Sequence, residues 1–281
     1  MRRALSVLAF GLATTSCFAV TNLDRFHAAG GGTGDYQDLV FTFRGAVAHP
    51  TDLFEMRVID ANNIVQMRGV YLPMVTPNTT VHIPKAVPRV NGPYRLDFYA
   101  DRDHSGGWDG LTNAPDHDHG WRIEPLQSTT GTDPNTITIV YDHNTSFVEI
   151  NDWPAGTPNP PHDPGLPANF HFTNLDAFQG KFLQARIADA TSGHTAALYR
   201  LPSLAAATAD GTVAGVIESE VTYDVYVYLD ANGNGTYDNP AANAGDLGWK
   251  LTATANAQGL SVSFDGAASA EVGSHEDVGP P

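Results

Sequence analysis

The fold class that the sequence predicts is all-β, with two tandem Ig-like β-sandwich domains. Three observations predict it. Short runs alternate apolar and polar residues and are divided by Gly, Pro, Asn and Asp turns. Beyond the N-terminal leader, no stretch combines sustained helical periodicity with capping signals. The chain also repeats itself. "YRLDFYADRDHSGGWDG" (94–110) aligns without a gap on "YDVYVYLDANGNGTYDN" (223–239), an offset of 129. The same offset joins Phe41 to Phe170, Phe43 to Phe172, Arg57 to Arg186, Asp60 to Asp189, Pro73 to Pro202, Asp101 to Asp230 and Asp109 to Asp238. After a one-residue slip, "HGWR" (119–122) aligns on "LGWK" (247–250). This pattern reads as an internal duplication. Its period is far longer than that of a solenoid repeat, so it predicts two globular copies.

The elements follow in order. Arg2 and Arg3, the apolar run 4–13 and "CFA" (17–19) read as a secretory signal peptide, 1–19, cleaved after Ala19. Its apolar run is too short for a membrane span. Lipidation at Cys17 stays open as an alternative. The first domain is expected over 35–150. "LVFTFRG" opens it, and 53–73 alternate, turn at Asp60–Asn63 and alternate again as a hairpin. "YRLDFYAD", "WRIEPL" and "TITIVYD" supply further strands. A Pro-rich linker is expected over 151–168. The second domain, 169–266, repeats the order with "FHFTNLD", the 182–202 hairpin, "YDVYVYLD", "WKLTATA" and "LSVSFDG". "SLAAATAD" (203–210) is expected to make one helical turn, and 267–281 to form a flexible acidic tail.

Composition narrows the function. The 281-residue chain is 42% hydrophobic, enough for a packed core. Its formal charge is −16, which loss of Arg2 and Arg3 takes to about −18. Such a balance excludes nucleic acid, whose phosphates need Lys and Arg, and an anionic membrane surface. The single Cys lies in the leader, so an exported chain has no disulfides. Native-state ion binding would stabilise such a chain by mass action. The expected location is secreted, periplasmic or on the extracellular surface.

The loops after "YADRD" and "YLDAN" carry the candidate chemistry. Counted from Asp230, oxygen side chains fall at positions one (Asp230), three (Asn232), five (Asn234) and nine (Asp238), with Gly235 at six. The first loop offers Asp101, Asp103, Ser105 and Asp109, with Gly106 at six. Alternating oxygens suit a hard cation that takes six to eight oxygen ligands. Gly at six permits the bend, and the position-seven carbonyl (Gly107, Thr236) adds a ligand. Position twelve is Thr112 or Ala241, so the bidentate Glu of an EF-hand is missing and the flanks are strands. The next segment offers replacements: Asp116 and Asp118 in the first copy, Asp246 in the second. Asp60 and Asp189 are more distant candidates. Ligation of Ca2+ is therefore expected, tighter in the first loop, which has three Asp against two.

"YLDANGNGTYD" resembles the calcium loops of bacterial surface β-sandwiches, the SdrD B-like and Cna B-like repeat families, over about a dozen residues per copy. The resemblance implies structural calcium in an extracellular module without catalysis, in a cell-surface or adhesion role. Two alternatives remain. His104, His117 and His119 could bind Cu or Zn. Tyr94, Tyr99, Tyr223, Tyr226 and Tyr228 alternate on strands and could contact glycan, in a carbohydrate-binding module. Trp121 and Trp249 read as core. The chain has no nucleophile elbow, HExxH helix or phosphate loop, so no enzyme is expected. Expected partners are a cell-surface protein or glycan. N-terminal sequencing of the exported protein is expected to start at Val20; a chain that keeps Met1 would contradict the leader assignment.

Overall fold

The structure is a computed structural model. It describes residues 35–49, 51–71, 78–90, 92–105, 108, 117–131, 133–143, 165–233 and 246–268. The leader, the linker up to 164 and the tail from 269 lie outside the described residues.

Fourteen strands account for the described fold: β1 Tyr36–Arg44, β2 Leu53–Ile59, β3 Val65–Tyr71, β4 Thr79–Pro88, β5 Arg95–Asp101, β6 His119–Ile123, β7 Thr136–Asp142, β8 Leu166–Thr173, β9 Leu183–Asp189, β10 Thr195–Leu201, β11 Ala209–Ile217, β12 Thr222–Leu229, β13 Leu247–Thr254 and β14 Leu260–Asp265. The only described helical turns are 3-10 turns at Ala46–Ala48 and Asp176–Phe178. The helical turn expected at 203–210 is not formed. Leu204 is instead 2% exposed, with its amide bonded to the Lys181 carbonyl and its own carbonyl taking the Gly180 amide. Burying that one side chain holds the segment out of a helix against its Ala-rich propensity.

Period-2 alternation builds each core. In β1, Leu39, Phe41 and Phe43 point inward. They meet Phe54 and Met56 of β2, Leu96 and Phe98 of β5, Trp121 of β6, and Ile139 and Tyr141 of β7. In the second half, Phe170 and Phe172 of β8 meet Leu183 and Ile187 of β9, Val225 and Val227 of β12, Trp249 of β13 and Phe264 of β14. The hairpin turns are capped by carboxylates. Asp60 Oδ1 accepts the Asn62 and Ile64 amides, and Asp189 Oδ1 accepts those of Thr191 and Ser192.

The two halves share one sheet. Its order is β13-β12-β9-β10-β3-β2-β5-β6, flanked by three-stranded sheets β4-β1-β7 and β11-β8-β14. At the centre, β3 and β10 pair in parallel: Arg68 with Ala197, Gly69 with Leu198, Val70 with Tyr199, Tyr71 with Arg200. Each residue thus faces the one 129 positions away. Residues paired across this ladder point to the same face, and neighbours along each strand point to opposite faces. The packing agrees: Met67 and Tyr71 of β3 enter the first core and Val70 the second, while Leu198 of β10 enters the first core and Tyr199 the second. The two small sheets therefore cover opposite faces, and β3 and β10 are buried on both, as central parallel strands are.

Two arginines stitch this seam. Arg68 on β3 donates to the Ala214 carbonyl of β11 at 2.7 Å and pairs with Glu55 at 3.0 Å. Arg200 on β10 reaches the Thr80 carbonyl of β4 and lies over the rings of Phe182 and Tyr71, 4.5 and 5.5 Å from their centroids. Burial pushes its pKa down to about 10.

Leu198 belongs to the second half's strand but to the first half's core. Leu198→Ala should therefore cost about 2–5 kcal/mol and lower, in one shared unfolding transition, the midpoints reported by Trp121 and by Trp249. Separate transitions, with only the Trp249 signal shifted, would contradict the shared sheet.

Candidate metal centre

The strand directions collect the candidate residues at one end. β5 and β12 both run parallel to β3 and β10, so Asp101 and Asp230 emerge at the same end of the central sheet. Five strand-to-strand steps separate β5 from β12, roughly 24 Å. Asp60 and Asp189 cap turns at the opposite end, and a seven-residue strand divides them from the acidic loops. They are therefore not candidates for the same ions.

Where each hairpin-like pair opens, two carboxylates stand opposite one another. The β5–β6 ladder pairs Ala100 with His119, which sets Asp101 against Asp118 one step further. The β12–β13 ladder pairs Leu229 with Leu247, which sets Asp230 against Asp246. All four are buried: Asp101 is 1% exposed, Asp118 0%, Asp230 3% and Asp246 0%. Backbone amides orient them in matched fashion. Asp118 Oδ1 accepts the Arg102 amide at 3.0 Å, and Asp246 Oδ1 accepts the Ala231 amide at 3.1 Å. Asp101 Oδ1 accepts the Ser105 amide and Asp230 Oδ1 that of Gly233. The Tyr228 hydroxyl donates to Asp246 Oδ2 at 3.0 Å.

In the first half Asp103 joins the pair. Oxygens of Asp101, Asp103 and Asp118 lie within 4.8 Å of one another. Oxygens on one calcium sit 2.3–2.6 Å from it, so they lie no more than about 5 Å apart. The described donors thus fit a hard cation. Ser105 is described and bonds Asp101 and Asp103 through its amide, and Asn232 lies in the described start of the second loop. Gly107, Asp109, Asp116, Asn234, Thr236 and Asp238 lie outside the described residues.

Histidines occupy the same end of the first half, but not in the grouping the sequence led us to expect. His119 lies with His49 and His143, one ring nitrogen of each within 4.8 Å of the others. His117 is a neighbour, with its ring 5.2 Å from that of His119. His104 points instead to Asp52, Nε2 to Oδ1 3.4 Å. His49 follows β1 and His143 follows β7. Those strands pair in parallel up to Arg44 and Asp142, and the His143 amide bonds the Arg44 carbonyl. No spacing in the sequence joins these positions; only the β1–β7 pairing does. Burial, with the neighbouring imidazoles, pushes the pKa of His119 down to about 4 and lowers that of His143. In the second half burial likewise pushes His194, stacked on Tyr36, down to about 4.

The expected glycan platform is overturned. Tyr94, Tyr99, Tyr223, Tyr226 and Tyr228 are all buried, at most 8% exposed, because both faces of their strands are covered or packed. Trp121 and Trp249 are core residues. Among the described residues, no helix is long and apolar enough to cross a membrane.

No protein-family model matches the sequence, and no curated protein matches it. Among solved structures, the chain is similar to the tip fimbrial protein Mfa3 from Porphyromonas gingivalis. The identity is 9%, with 80% of this chain and 79% of that one covered, at a TM-score of 0.27. The fimbrial anchor protein Mfa2 of the same organism gives 12% identity, 70% and 79% coverage and a TM-score of 0.25. The shaft pilin spaA from Lactobacillus rhamnosus GG gives 10%, 81% and 96%, and 0.20. Similarity at that level carries no inference about what this chain binds.

The buried imidazoles set a pH dependence. Unfolded histidine takes its proton near pH 6.5, whereas His119 and His194 in the folded chain do so only near pH 4. The unfolded state thus binds more protons between these limits. Stability in chelator should be full above about pH 6.5 and decline toward pH 4, read as the urea midpoint. A midpoint that stays level through that window would contradict the burial of these rings.

Proposed function

We propose that this chain is an exported, calcium-stabilised β-sandwich module with a structural role in cell-surface or adhesion work. The single observation that supports it most is the pair of buried carboxylates facing each other where the ladder ends, in both halves: Asp101 with Asp118, Asp230 with Asp246. Like charges directly opposite on a ladder repel, and burial makes the repulsion stronger. A divalent cation between them reverses the sign of that term.

In the first half, Asp101, Asp103 and Asp118 would hold the ion, joined by Ser105, Gly107, Asp109 and Asp116. In the second, Asp230, Asn232 and Asp246 would hold it, joined by Asn234, Thr236 and Asp238. The ion would supply charge compensation and loop rigidity, not chemistry on a substrate. A leader at 1–19 would take the chain outside the cytoplasm, where a scaffold without disulfides would gain stability from calcium. The acidic end would attract cations and bind no nucleic acid. Its partner would be another cell-surface component.

Calcium at about a hundred times its Kd should raise the melting temperature by roughly 5–10 °C, and chelator should reverse the rise. In the full chain, Asp230→Asn should leave the tighter site and Asp101→Asn the weaker one, read by calorimetric titration. No thermal shift with calcium would contradict the proposal, and the reverse affinity order would contradict its assignment of the stronger site.

A further inference from the structure

The first half carries a second cluster of a different chemistry. His49 is 0% and His119 8% exposed, and His143 is half-buried. Nε2 of His49 and Nε2 of His143 stand 3.4 Å apart. Two nitrogens bound to one ion at 2.0–2.1 Å and at the tetrahedral angle are about 3.3–3.4 Å apart. The other nitrogen of His49, Nδ1, lies 2.9 Å from Oδ2 of Asp52, itself 3% exposed. A buried carboxylate on the far nitrogen fixes the ring's tautomer and turns Nε2 toward the cluster, as carboxylates behind metal-bound imidazoles do. Trp121 floors the group, its ring 5.6 Å from those of His49 and His143 and 6.0 Å from that of His119.

The fold does not require imidazoles here. In the second half, strand register places Phe178 where His49 stands, Leu247 where His119 stands and Gly266 where His143 stands. Phe178 and Leu247 pack on the second core. An apolar filling therefore closes this end of the sandwich, and the first half has three imidazoles, two buried and one half-buried, in its place.

We propose that His49, His119 and His143 form a three-imidazole site for one borderline divalent transition ion, of the zinc and copper class, with Asp52 as the positioning carboxylate. Three nitrogens favour such an ion over calcium, which takes oxygen. The fourth position would be left to water or to a donor from a partner. This site is independent of the calcium reading and stands if that reading fails.

The test uses the whole mature chain with calcium saturating. One equivalent of Cu2+ is expected to quench Trp121 fluorescence, and Zn2+ is expected to compete with it and to raise the melting temperature. His143→Asn, at the half-buried position, should weaken Cu2+ binding at least tenfold, and Asp52→Asn should weaken it about 10–100-fold. His171→Asn, on β8 beside Asp210, should leave it unchanged. An unchanged Cu2+ affinity in His143→Asn, or the absence of both quenching and a Zn2+ thermal shift in the wild-type chain, would overturn the proposal. The wild-type measurements decide it even if a variant fails to fold.

Discussion

The parallel pairing of β3 with β10 is the constraint on which the rest of the molecule depends. It sets each residue beside the one 129 positions away, so that paired side chains share a face and successive ones alternate between the two cores. The flanking sheets cover opposite faces of the shared sheet. That cover obliges β3 and β10 to be buried on both sides, so each gives alternate side chains to both cores. A polar group in such a strand must find a distant partner. Arg68 and Arg200 do so by reaching carbonyls in the opposite half.

The ladders leave β5 and β12 running the same way as that central pair. Both acidic loops therefore open at one end of the sheet, each with a buried Asp pair where pairing stops. In a chain this acidic, that end concentrates a field that favours cations. The halves differ in what lies beneath the loops. Apolar Phe178 and Leu247 close the second, whereas His49, His119 and His143 close the first over Trp121. One end of the scaffold thus presents oxygen donors in both halves and nitrogen donors in one.

Much of this was legible in the residues. Alternation placed the strands, Asp60–Asn63 marked the hairpin, and the offset of 129 aligned the halves. The ladder then set Asp118 and Asp246 opposite the first Asp of each loop, a relation the local sequence suggested by proximity alone. The seam was less legible. "VQMRGVY" sets Gln66 and Arg68 on one face and so reads as a half-buried strand, and which strand covers which edge is a long-range choice. The tyrosines of β5 and β12 misled for the same reason. Alternation implies a wet face, and here both faces are covered or packed. His49 and His143 carried no signal, because the β1–β7 pairing brings them together and the packing of that sheet on β6 adds His119.

Cations between the buried carboxylates would compensate their charge at this end of the sheet. Elemental analysis of the chain purified without added metal is the decisive measurement. Calcium is expected at close to two ions per chain, held through gel filtration and lost on chelation. Protein that retains its fold with no calcium before or after dialysis against it would rule out such compensation.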